Sequence, residues 1–271
     1  MKNEIKKSHK IRNSLLIGLS IILVIAAIVL GVLWNRYLNK NSLFAKFETP
    51  QAQEVYILGT LHKEHFNKLI NYSMADILSV VEKVKPDVVF IEARENVYEE
   101  YGVVDGPIDM AVVYSYCLAN GIQTEMIDWW VVDNNYQDNS TNDKRDDKIF
   151  ENIKNKLNKF DSNTTVLVVC GSGHFYEQSK RFTANDFVRN SIQSKTTYFA
   201  DNNNVFMYPA NLEEIWEKRA YFYAYTQPEV IGKDENLDDE IKSQFTEDNH
   251  DGFYNQQMEY CKLFENNWLY K

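Results

Sequence analysis

VYILGTLH, residues 55–62, reads as a short apolar strand that meets a glycine and then a histidine. Two later stretches share its form, VVFIEAR at residues 88–94 and VLVVCGSGH at residues 166–174. A fourth apolar run, Ile122 to Ile127, ends at Asp128. Helical patterns fill the intervals. Met74, Ile77, Leu78, Val81 and Val84 form one stripe, which Pro86 stops. Pro107 to Ala119 is apolar nearly all round and closes at Asn120-Gly121, and Ile149, Ile153, Leu157 and Phe160 line a further face. Short strands separated by helices of about 10–15 residues predict βαβ units. Strands that are continuously apolar, rather than alternating, predict a sheet covered on both faces. The expected fold class is α/β, a central sheet flanked by helices.

Towards the N-terminus, Ser14 to Trp34 is a run of 21 residues without a charge. Roughly 20 apolar residues cross a ~30 Å hydrocarbon core, so the run predicts one transmembrane helix. A cleaved signal peptide has a shorter apolar core followed by small residues. Here the run exits through Leu33-Trp34-Asn35-Arg36-Tyr37, which is too bulky for cleavage. Lys2, Lys6, Lys7, Lys10 and Arg12 precede the span against a single Glu4. A basic flank favours the cytoplasmic side. The expected organisation is a cytoplasmic tail (1–13), a span (14–34), a stalk (35–53) and an extracellular α/β domain (54–271), single-pass in the cell membrane. Beyond the span the chain carries 24 basic and 38 acidic residues, a net charge of −14. Nucleic-acid binding rests on Lys and Arg neutralising phosphates, so this balance argues against a nucleic-acid partner.

Past Gly173 the pattern weakens. Asn211-Leu212-Glu213-Glu214 has the form of a capping box opening a helix with Leu212, Ile215, Trp216, Ala220 and Tyr223 on one face. Asp201–Asn204 and Asp234–Asp239 read as solvated loops, and polar Asp133–Asp147 as a mobile insertion or one overhanging the site. The aromatic C-terminal segment is expected to pack back on the core. Cys117, Cys170 and Cys261 are odd in number, lack CxxC spacing and form no disulfide framework.

Polar residues gather where the strands end: His62, Glu92 with Arg94, Asp128 and His174. Ligands of open α/β sheets sit at these carboxyl ends. Two of the chain's five histidines have a glycine three residues before them, each after an apolar strand. The expected reason is a sharp turn on a glycine with positive φ that presents an imidazole. Two imidazoles and a carboxylate suit a divalent metal such as Zn, Mn or Co, with His62, Glu92 and His174 as ligands. Such an ion activates water and polarises a carbonyl, the chemistry of amide or ester hydrolysis. Asp128 reads as a fourth ligand, a supporting partner or a general base. Arg94 and Arg145 would hold a substrate carboxylate or stabilise an oxyanion. Without a metal, Glu92 and a histidine would act as base and acid on water. The plainer readings stand beside these. Glu92–Arg94 is also a surface ion pair, His65 a solvated loop residue or another ligand, and Cys170 or Ser172 a nucleophile beside His174 only by proximity.

ILGTLH (Ile57–His62), DVVFIEAR (Asp87–Arg94), GPIDM (Gly106–Met110), the pair Arg145-Asp146 and VLVVCGSGHF (Val166–Phe175) together resemble the TraB/TIKI family, related in fold to erythromycin-esterase and ChaN-like proteins. The resemblance covers about half the chain. It implies membrane-anchored proteins acting outside the cell, among them metal-dependent proteases of a secreted signal and a bacterial protein that shuts down a peptide pheromone. By position it carries over to His62, Glu92, Arg145 and His174. Arg94 and Asp128 come from strand-end placement alone. The chain departs from the bacterial pheromone proteins in having its single span at the N-terminus. The expected function is a metal-dependent hydrolase, a peptidase acting on an extracellular peptide or protein. The rival expectations are a module that sequesters a peptide and a metal-free esterase-like hydrolase.

Overall fold

The computed structural model describes residues 2–136, 142–201, 205–245 and 249–265. One mixed sheet contains β1 (Phe44–Glu48), β2 (Glu54–Thr60), β3 (Val88–Arg94), β4 (Gln123–Asp128), β5 (Thr165–Gly171) and β6 (Val188–Asn190). Their order across the sheet is β4-β3-β5-β2-β1-β6. β2, β3, β4 and β5 are the four expected strands, and they run parallel. β1 is antiparallel to β2, and β6 to β1. Every residue of β3 is buried, and every residue of β2 after Glu54. Burial from both faces is why these strands read as unbroken apolar runs.

The crossovers are α2 (Met74–Val84), α3 (Glu95–Tyr101) with α4 (Ile108–Ala119), α5 (Asn142–Leu157) and α6 (Ser172–Ala184). α2 opens on a capping box, Ser73 accepting from the Asp76 N–H while the Asp76 carboxylate accepts from the Ser73 N–H. It ends at Lys85, whose φ of 51° lies in the left-handed region, immediately before Pro86. The expected capping box at Asn211 does not form. The helix Leu212–Tyr221 does begin there, but the Asn211 side chain is taken by the Ser115 hydroxyl of α4. Its buried face is Leu212, Trp216 and Ala220. As far as Glu265 the aromatic C-terminal segment packs back as expected, through Trp216 Nε1 donating to the Gln257 carbonyl and through buried Cys261 and Phe264, and residues 266–271 lie outside the described ones. The three cysteines are free and buried.

Two boundaries differ from the sequence reading. The segment read as a stalk, residues 35–53, contains β1, whose Phe44, Ala45 and Phe47 are in the core. Its pattern was obscured because β1 is short and carries Lys46 between apolar residues. The polar stretch Asp133–Asp147 is helical from Asn142 onward, and its residues 137–141 lie outside the described ones, as do 202–204 of the loop after Ala200.

The N-terminal helix α1 (Lys2–Tyr37) contains one segment, Leu16–Arg36, that is long and apolar enough to cross a membrane. Its 21 residues span about 31 Å at 1.5 Å each. None of this segment is buried against the domain.

Candidate active site

Each carboxyl-terminal end of the four parallel strands delivers one part of a polar cluster. Glu92, two residues from the end of β3, is 3% exposed. Its Oε2 accepts the Gly171 N–H at 2.5 Å, at the end of the adjacent β5. Its Oε1 accepts from Arg145 Nη2 at 3.2 Å and lies 3.5 Å from His174 Nε2. Arg145 stands in the first turn of α5, and its Nε and Nη2 grip Asp128 at 2.8 and 2.7 Å. Burial alone would lower the Arg145 pKa. The paired hydrogen bonds and charge of Asp128, with Glu92 behind them, raise it instead.

Both motif histidines are oriented from behind by a buried carboxylate. His174 Nδ1 is 2.7 Å from Asp146 Oδ1, and Asp146 is held in turn by Gln178 Nε2 at 3.0 Å. His62 Nδ1 is 3.2 Å from both oxygens of Asp109, in the first turn of α4. Burial opposes charge on either ring. For His62 the Asp109 carboxylate outweighs it and pushes the pKa up to about 9. For His174 the bond to Asp146 outweighs it in the same direction. Asp109 is itself fully buried, which would raise its pKa, but His62 holds it down to about 2. A carboxylate on Nδ1 leaves Nε2 as the working nitrogen of each ring.

The glycines of the two G-x-x-H motifs work differently from the expectation. Neither adopts positive φ: Gly59 lies within β2, and Gly171 has φ −57°. The left-handed residue is His62 itself, at φ 53°. The glycines instead allow close approach, and they do so reciprocally. A methyl on Gly171 would fall 2.7 Å from His62 Nε2 and 3.3 Å from Glu92 Oε2, while one on Gly59 would fall 2.9 Å from the Phe175 Cβ. Each motif makes room for the residues following the other, because Gly59 and Thr60 pair in register with Cys170 and Gly171. Gly106 serves the same end, since its added Cβ would sit 2.2 Å from the Glu92 carbonyl oxygen.

The structure therefore brings together His62, Glu92, Asp128, Arg145 and His174. Arg94 does not join them. A register shift between Ile91 and Arg94 turns it aside, where its backbone N–H and Nε bond to Asp105 and its guanidinium lies 3.6 Å over the Trp130 ring. Asp128 is occupied on both oxygens by Arg145, and Oδ1 also accepts the Trp129 N–H, so it positions the guanidinium. His65 is buried, its Nε2 accepting from the Leu61 N–H and its Nδ1 meeting the Tyr72 carbonyl, a structural role. Burial raises the Cys170 thiol well above its ordinary pKa, which disfavours the thiolate that a nucleophile needs. Asp109 and Asp146 are functional candidates without an assigned role in the sequence reading. Their signal was carried by GPIDM and Arg145-Asp146, where each acid opens a helix.

The donor chemistry is that of a divalent-ion site, with two imidazole Nε2 atoms and a carboxylate in a cluster of four carboxylates and one guanidinium. Among the described residues no three His, Cys, Asp or Glu side chains are grouped to hold an ion, and Glu92 is engaged by Gly171 and Arg145. No known family model, curated protein or solved structure matches the chain.

Proposed function

We propose that the protein is a membrane-anchored hydrolase of peptides or peptide-like carbonyl compounds, its basic N-terminus cytoplasmic and its α/β domain extracellular. The observation that carries this reading is the pair of histidines, each oriented through Nδ1 by a buried carboxylate and each ending in the cluster around Glu92. Glu92 acts as the base that takes a proton from the attacking water. His62, protonated at neutral pH beside Asp109, donates a hydrogen bond to the developing oxyanion and then a proton to the leaving amine. Arg145, anchored by Asp128, balances the charge of Glu92. His174 approaches the same Glu92 oxygen that Arg145 contacts. The TraB/TIKI resemblance supports the same centre, since it falls on His62, Glu92, Arg145 and His174.

A divalent ion (Zn, Mn or Co) would take His62, Glu92 and His174, and it would supply Lewis acidity. The Arg145–Glu92 contact favours the metal-free version of the same hydrolysis. The test uses the purified full chain in lipid nanodiscs, assayed on a peptide library before and after chelation, beside Glu92→Gln. Cleavage by the wild type and none by the variant supports the reading, and chelation distinguishes the two versions. A folded wild type that cleaves nothing, with or without added Zn²⁺, Mn²⁺ or Co²⁺, overturns it in favour of a module that sequesters peptide.

A further inference from the structure

β1 runs antiparallel to β2, with Phe44 opposite Leu58. The residue that enters the sheet first after α1 therefore lies at the carboxyl-terminal end of β2, the edge that bears His62. The link from Arg36 to Phe44 is short and fixed along its length. The Leu38 and Asn39 N–H groups bond to the Trp34 carbonyl, Lys40 Nζ meets Asp76 Oδ1 at 2.8 Å, and Lys195 Nζ reaches the Asn41 carbonyl at 3.1 Å. A second contact, independent of β1, ties the same edge to the span. Tyr176, two residues after His174, donates its hydroxyl to the Arg36 carbonyl, and the Arg36 guanidinium lies 4.8 Å over its ring.

Two of the segments that leave this edge, those after β2 and β4, present apolar and aromatic side chains, whereas the one after β3 is acidic. The segment after β2 exposes Leu69 at 85%, with Lys68 beside it. The segment after β4 begins with half-buried Trp129 and Trp130. Tyr176 and Trp34 complete a set of aromatic and basic groups of the kind that settles at headgroup level.

We infer that the edge of the sheet bearing His62, Glu92 and His174 rests against the bilayer surface, so that the substrate is a peptide held in that same membrane rather than one free in solution. The substrate class rests on the hydrolase reading above, whereas the orientation does not. Confinement of both partners to one surface raises the effective concentration of such a substrate by about 100-fold or more.

The test places a nitroxide on single cysteines in the full chain in nanodiscs. The native cysteines are buried, so Leu69→Cys and Gly173→Cys label selectively, with Gln51→Cys at the opposite edge of the sheet as the control. The expected result is relaxation of position 69 by a lipid-soluble agent and of position 51 by a water-soluble one, with position 173 within reach of both. Equal water exposure at 51 and 69 overturns the orientation whether or not the protein cleaves anything. The second arm compares a peptide library bearing an acyl anchor with the same library unanchored. About 100-fold faster cleavage of the anchored form is expected, with the preference reduced by a flexible 20-residue spacer inserted between Tyr37 and Leu38. Equal rates for the two libraries overturn the substrate class, and absence of any cleavage overturns it together with the hydrolase reading.

Discussion

Gly171→Ala separates the geometry of the site from the stability of the fold. Gly171 has φ −57° and ψ 153°, which alanine adopts without strain. The added methyl would stand 2.7 Å from His62 Nε2 and 2.9 Å from Cε1. Ordinary contact begins near 3.4 Å, so the ring must retreat by about 0.7 Å. It has somewhere to go, because the His62 side chain is 38% exposed, whereas Glu92 is pinned by the Gly171 N–H. The retreat stretches the 3.2 Å contacts to Asp109. Stability should fall by about 1 kcal/mol, the low end of overpacking, because a half-exposed ring absorbs the clash. Turnover should fall about 100-fold, as expected for a displacement approaching 1 Å of a reacting group. Urea unfolding and peptide hydrolysis on the same preparation measure both, and the His62 ring proton shift in an NMR spectrum reports the displacement without any substrate. Unchanged turnover with an unchanged His62 resonance would refute the reasoning. So would a loss above about 3 kcal/mol, which would mean that the methyl is absorbed by the core rather than by the ring.

Further expectations concern charge and packing. In chelator-treated protein His62 should titrate near 9, and Asp109→Asn should return it towards or below 6.5, as read by the pH dependence of its NMR shifts. The stabilisation from this pair has two limits. Through His62 it is complete below 6.5 and lost as pH rises through about 9, and through Asp109 it is complete above 3.8 and lost as pH falls towards about 2, so unfolding measured across that range should show a plateau between. Arg145→Ala leaves Asp128 and Glu92 facing each other without their cation and should destabilise by about 3 kcal/mol in chemical denaturation, more than Asp128→Asn. Gly106→Ala should abolish folding or cost more than about 3 kcal/mol, because the obstacle is the Glu92 backbone, while Gly173→Ala meets open space and should leave the melting temperature unchanged. His65→Ala strands the Leu61 N–H and the Tyr72 carbonyl and should cost about 2 kcal/mol, with wild-type NMR shifts retained at His174.

The parallel half of the sheet was legible because burial on both faces leaves a strong mark: Val88–Ile91 and Val166–Val169 are short, rich in β-branched residues, and bounded by Pro86 and Gly171. The convergence at His62, Glu92, Asp128 and His174 followed from the general behaviour of strand ends, whereas Arg145, in the first turn of α5, was reached through the family resemblance. What the sequence concealed depends on contacts between distant segments. Asp109 and Asp146 look like ordinary first-turn acids until α4 and α5 bring them behind the imidazoles. Arg94 looks like a partner of Glu92 until the irregular pairing with β4 sends it to Asp105. β1 was hidden because five residues with one charged and one exposed end carry too little periodicity, and its pairing depends on β2 arriving from the other side.

The order of the strands bears on how the protein is made. β5 lies between β2 and β3, so these two strands, adjacent in time during synthesis, never touch each other within the sheet. A nascent chain that stops before residue 165 has made most of the apolar strand surface without the strand that joins it, and it lacks both Gly171 and His174. The parallel half of the sheet and the polar cluster thus arrive in the same event, on insertion of one late segment into a waiting gap. Until then β2 and β3 have unpaired edges, the condition in which chains associate with one another. The chain therefore has reason to need a holding factor until its fifth strand follows.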